Sequence, residues 1–138
     1  MVKNVEMLSF KDNSGELGHL IPIEAKKDVP FEIKRIYYIT GVPGHVTRGF
    51  HSHRKLEQVL LCVNGNVKIR LKTPTEDNII LLDNPSQGLY IGHMVWREMF
   101  DFSPGAVLLV LASDYYTEDD YIRDYTDYLI EAKNFFKE

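Results

Sequence analysis

The stretch RGFHSHRKLEQVLLCVNG, residues 48–65, carries most of what the chain reveals about its architecture. It sets His51 and His53 one residue apart, then Glu57, then an apolar run that ends in Asn64-Gly65. In a strand, side chains two apart share a face, so the two imidazoles project together, inward as a site or outward as surface histidines. The runs EQVLLCV and NVKIRLK on either side of Asn64-Gly65 are rich in β-formers, and that dipeptide between them predicts a tight two-residue hairpin.

Outward from this stretch the same texture continues. HLIPIE, EIKRIYYIT, NIILLD, GLYIGHMVWREMF and AVLLVLAS are short strand-like runs, punctuated by Pro74, Asn84-Pro85 and Ser103-Pro104-Gly105. The texture changes only at TEDDYIRDYTDYLIEAKNFFKE, residues 117–138. There Thr117 is a candidate cap, Glu118, Asp119 and Asp120 suit the positive end of a helix dipole, and Lys133 and Lys137 lie toward the other end. Tyr121, Ile122, Tyr125, Leu129, Ala132 and Phe136 then form one packing stripe. Many short strands and one terminal helix, without βαβ alternation, predict an all-β sandwich or barrel occupying residues 1–138 as one domain. The strands before residue 30 are candidates for pairing with another subunit.

Composition narrows the function classes. With 138 residues, 44% hydrophobic and 26% charged, the chain has the make-up of an ordinary globular domain. A formal net charge of −4 argues against nucleic acid as a partner, because that affinity draws on a basic surface. No run approaches 18 apolar residues, so no membrane partner is expected. The opening MVKNVEMLSFKDNSG lacks the apolar core of a secretory signal, and the single cysteine, Cys62, sits in an apolar run; both lead to the expectation of a reduced, cytoplasmic setting.

Two histidines, three residues, Glu57 and a later glycine have the shape of the first cupin motif. In metal-dependent cupins such a set, with a further histidine on a later strand, binds a transition metal. Where that last ligand is expected stands Arg97, which carries no acceptor lone pair and repels a cation. Histidines with a nearby arginine suit instead an anionic or carbonyl-bearing substrate. A metal-dependent oxygenase or isomerase using His51, His53 and Glu57 remains one alternative, and a sugar-binding cupin without catalysis another.

The runs KRIYYIT, RGFHSHRKLEQVL with its following VNG, GLYIGHMVWREMFDF and LASDYYTEDDYIRDY together resemble the dTDP-4-oxo-6-deoxy-D-glucose 3,4-ketoisomerases, small cupin enzymes of deoxysugar biosynthesis. The resemblance covers nearly the whole chain. It implies a cupin jelly roll without metal or other cofactor, a homodimer with exchanged N-terminal strands, and a dTDP-linked 4-keto-6-deoxyhexose as substrate. The product would be dTDP-3-oxo-6-deoxy-D-glucose, a precursor of 3-amino-3,6-dideoxyhexoses.

The family's paired histidines match His51 and His53, its pocket tyrosine matches Tyr37 rather than Tyr38, and its arginine before the histidines matches Arg48. Family members that form galacto products carry histidine in place of Arg97 and arginine near Leu17, so this chain resembles the gluco type. Moving the carbonyl needs a base for the C3 proton, assigned to His51, and groups that manage O3, O4 and C4, assigned to His53 and Tyr37. Arg97 replaces a face-specific proton donor. Arg35, Arg48 and Lys55 are expected near the diphosphate, Glu57 and Gln58 near the sugar or a histidine, Trp96 in the pocket wall, and Leu17 at the stereochemical position.

Overall fold

The computed structural model describes residues 1–137 and consists of two five-stranded antiparallel sheets and one helix. In chain order the strands are β1 (Val5–Ser9), β2 (Arg35–Ile39), β3 (Arg48–His53), β4 (Gln58–Asn64), β5 (Val67–Lys72), β6 (Asp77–Leu82), β7 (Gln87–Ile91), β8 (Trp96–Phe100), β9 (Val107–Ala112) and β10 (Tyr121–Ile122). Helix α1 spans Tyr125–Phe135. One sheet runs β1-β7-β4-β9-β2 and the other β10-β3-β8-β5-β6. The main core lies between them, where Leu60, Leu89, Leu108 and Val110 of the first sheet meet Ile69, Leu71 and Met99 of the second. The expected all-β cupin jelly roll with a C-terminal helix is the architecture observed.

Asn64-Gly65 does not close a hairpin. β4 pairs with β7 and β9, whereas β5 pairs with β6 and β8, so the dipeptide turns the chain from one sheet into the other. Only Gly65 takes positive φ (73°), while a tight two-residue turn of the primed type needs it at both positions. A Cβ on Gly65 would press into the Ser103 side chain and come 3.2 Å from the Ala106 Cα, so the corner requires glycine. β4 is buried over its first five residues, and burial between two layers favours pairing with two partners in its own sheet over a local ribbon.

The terminal segment differs likewise. Thr117 makes no side-chain cap; Glu118–Asp120 form a single 3-10 turn, and Tyr121–Ile122 pair with His53 and Ser52 of β3 as strand β10. The helix begins later, capped by Asp124, whose carboxylate accepts from the Asp127 amide at 2.9 Å. Its anchor is Tyr128, buried with Ala132, Trp96, Met94 and Ile122 on the outside of the second sheet. The outer face of the first sheet is covered by the segment between β1 and β2, through Phe10, Val29 and Phe31 on Val59, Leu61 and Leu111. HLIPIE lies in this cover and forms no strand, and β1 pairs with β7 of its own chain. GLYIGHMVWREMF is two strands, β7 and β8, in different sheets.

Candidate active site

A cavity of about 360 Å³ opens at one end of the barrel, between β2 of the first sheet and β3, β8 and β10 of the second; its wall includes Tyr37, His51, Tyr121, Arg35, Arg48 and Arg123. Cross-strand pairing assembles it. In an antiparallel ladder directly opposed residues share a face, and His51 pairs with Arg97 while His53 pairs with Tyr121. The imidazole centroids lie 5.0 Å apart, and the Tyr121 ring is 5.1 Å from His51 and 4.3 Å from His53. A bulge between Gly49 and His51 sets the aim of the first imidazole. Gly49 has φ of 100°, and a Cβ there would meet the Arg97 carbonyl oxygen at 3.1 Å.

His53 is buried behind His51. Its Nδ1 lies 3.1 Å from the Asp120 carboxylate, which also accepts the Lys55 and Leu56 amides, and its Nε2 is buried without a protein partner. The carboxylate draws the ring proton to Nδ1 and leaves Nε2 as an acceptor. Burial first, then the Arg97 guanidinium, holds His53 neutral, well below the ordinary imidazole range. The same two causes push His51 down to about 3. Both rings are therefore free bases at neutral pH.

Arg97 is 0% exposed. Its Nη1 donates to Gln58 Oε1 at 2.5 Å and its Nη2 to the Val95 carbonyl at 2.9 Å. Burial lowers its pKa to about 10, so the guanidinium stays charged and places a positive field under the cavity. Gln58 Nε2 in turn donates to the Tyr37 hydroxyl at 3.0 Å. Tyr37 faces the cavity while Tyr38 points outward, 69% exposed. Burial raises the Tyr37 pKa above its ordinary value, which keeps the phenol protonated.

Other residues expected in the site lie elsewhere. Glu57 accepts from Tyr90 at 2.6 Å, and Tyr90 packs in the outer cluster of the first sheet, so Glu57 does not join the two histidines as a metal or sugar ligand. Trp96 packs under α1 and donates to Glu98, so it is no part of the cavity wall. Lys55 does not line the main cavity; it borders a smaller recess that shares Arg35 and Tyr121 with it, and a surface depression beside α1. Leu17 stands fully exposed on a turn closed by paired Gly15 and Gly18, in a separate surface depression.

Sequence reasoning missed Tyr121, Arg123 and Asp120, because all three fall in the stretch taken for helix. Arg123 lies over the Tyr121 ring at 4.1 Å and forms a two-pronged ion pair with Glu118, which also accepts from Tyr116. The available signal was Asp124-x-x-Asp127, a second start that competes with Thr117.

Three comparisons show which known proteins the chain is similar to. The family model described as "FdtA: WxcM-like, C-terminal" matches residues 2–133. The TDP-4-oxo-6-deoxy-alpha-D-glucose-3,4-oxoisomerase of Aneurinibacillus thermoaerophilus is 49% identical over 123 residues, covering 89% of this chain and 88% of that one. The H51N variant of the 3,4-ketoisomerase QdtA from Thermoanaerobacterium thermosaccharolyticum, solved with TDP-4-keto-6-deoxyglucose, is 62% identical with a TM-score of 0.98 and full coverage of both chains. The TDP-quinovose 3,4-ketoisomerase WlaRB of Campylobacter jejuni is 46% identical with a TM-score of 0.90, covering 94% of this chain and 99% of that one. With the family model matching residues 2–133 and relatives of this identity covering 89% of the chain or more, the chain belongs to the FdtA family, the small cupin sugar 3,4-ketoisomerases.

Proposed function

We propose that this protein converts dTDP-4-oxo-6-deoxy-D-glucose into dTDP-3-oxo-6-deoxy-D-glucose in the cytoplasm, supplying 3-amino-3,6-dideoxyhexoses for a bacterial surface glycan. The observation that carries the reading is a neutral His51 imidazole and a protonated Tyr37 phenol lining one cavity with Arg35, Arg48 and Arg123, with the neutral His53 ring packed behind His51. His51 takes the proton from C3. The electron pair of that C–H bond forms the C3–C4 double bond, and the former carbonyl pair moves onto O4, giving an enediolate. A proton is then delivered to C4, the O3 proton is passed to O4 as its hydroxyl forms, and the carbonyl re-forms at C3. Buried Arg97 steadies the enediolate charge from beneath, and His53 and Tyr37 manage the oxygens. Arg35, Arg48 and Arg123 of the cavity wall pair with the diphosphate.

In this reading the protein works as a homodimer whose N-terminal strands are exchanged. Support comes from fully exposed Leu17 and from Ile36 and Tyr38, 60% and 69% exposed on edge strand β2. Exchange would form the same β1–β7 ladder between chains. The deciding experiment is incubation with dTDP-4-oxo-6-deoxyglucose in heavy water, followed by NMR. Migration of the carbonyl to C3 with exchange at C3 and C4 supports the proposal. An unchanged sugar would point to a binding protein, and deuterium at C5 to an epimerase.

A further inference from the structure

Arg97 is entirely buried, and its Nη1 donates to the side chain of Gln58, which is itself 1% exposed. A guanidinium can only donate hydrogen bonds, so the group of Gln58 that faces Arg97 Nη1 at 2.5 Å must be its carbonyl oxygen. The amide NH₂ is thereby turned toward Tyr37, 3.0 Å away. An NH₂ has no lone pair to offer, so the phenol oxygen accepts from it and its own hydrogen has to point elsewhere. Tyr37 and His51 both line the cavity.

From this chain of donors we infer that Gln58 is a positioning residue, pinned by Arg97, that forces the Tyr37 hydroxyl to act as a hydrogen-bond donor toward a substrate oxygen. The inference rests on the isomerase reading and adds a directed role for two side chains that need not touch the sugar. The oxygen concerned is the one that gains electron density as the C3 proton leaves. A donor already aimed there costs no reorganisation at the moment of reaction.

The test is Gln58→Glu. A carboxylate at this position still accepts from Arg97, but its other oxygen now accepts from Tyr37 and draws the phenolic hydrogen out of the cavity. Carbonyl migration is followed by NMR for the wild type, Gln58→Glu, Tyr37→Phe and the double variant. Gln58→Glu should lose about a hundred-fold or more in kcat with little change in KM, the loss expected when a preset donor is withdrawn. In the Tyr37→Phe background the same substitution should cost nothing further. Were Gln58 merely structural, or were the new charge simply neutralising Arg97, the loss would persist without the phenol, and that result overturns the inference. Wild-type kcat in Gln58→Glu overturns it too.

A neutron diffraction map of the wild-type protein decides the hydrogen's direction independently of folding or turnover in any variant. Deuterium on the Tyr37 oxygen directed into the cavity supports the inference, whereas deuterium between Tyr37 and Gln58 refutes it. Failure of the isomerase reading is separately visible, as a wild-type protein that leaves the carbonyl at C4.

Discussion

Two neutral histidines lie against buried Arg97, and this arrangement has consequences for both stability and product. Because their folded pKa values are depressed, the unfolded chain takes up protons near pH 6.5 that the folded chain refuses. The histidine contribution to stability is thus fully present above about pH 6.5 and is lost as the pH falls below it, by about 1.4 kcal/mol per pH unit for each ring. Thermal melts from pH 8 to pH 4 should show a falling Tm below that point, with a shallower slope in His51→Asn; an equal slope would contradict the assignment. Arg97 also bears on stereochemistry. In a glucose chair H3 and H4 lie on opposite faces, so a gluco product requires C4 to be protonated from the face opposite C3 deprotonation. Arg97→His would place a proton-releasing group where a guanidinium now stands. It should shift the product toward galacto, more so with Leu17→Arg, as read by proton NMR of the C4 configuration.

At the scale of elements, the segment from Thr117 to Phe135 joins packing to chemistry. β10 delivers Tyr121 and the 3-10 turn before it delivers Asp120 to the histidines, and α1 holds β10 in place through the cluster of Ile122, Tyr128 and Ala132. The Tyr128 hydroxyl, on a fully buried residue, lies 3.0 Å from the Lys72 carbonyl oxygen and 2.9 Å from that of Met94, so that its single hydrogen is shared between them and ties the helix to the end of β5 and the loop before β8. Tyr128→Phe removes the buried donor that these two carbonyls share. A loss of about 1–3 kcal/mol is expected, seen as a lower urea midpoint with an unchanged m-value. An unchanged midpoint would mean that water replaces the hydroxyl.

For the whole molecule, the question is what the exposed apolar side chains of β2 and of the turn at Leu17 contact. A protein with exchanged N-terminal strands should scatter light as a particle of twice the chain's mass. Leu17→Asp should weaken activity more than it shifts Tm, because Leu17 packs against nothing within its own chain. A monomer with full activity would remove the exchanged-dimer reading.

What was legible in the sequence is what short-range chemistry dictates: the β texture from its β-formers and turn residues, the parity of His51 and His53, and the incompatibility of Arg97 with a cation. The runs around these residues also carried the family resemblance. Which strand lies beside which was decided only by the tertiary structure. Asn64-Gly65 offers a hairpin to its neighbours, yet burial of β4 between β7 and β9 removes more apolar surface from water than a local ribbon would. Glu57 and Gln58 are adjacent in sequence and were given similar roles; the pleat sends one to Tyr90 outside and the other to Arg97 inside. Tyr121 and Asp120 read locally as helix, and only the ladder to β3, 67 residues earlier for the Asp120–His53 contact, turns them into parts of the site. Local patterns set what each segment prefers, and shared burial settles which preference survives.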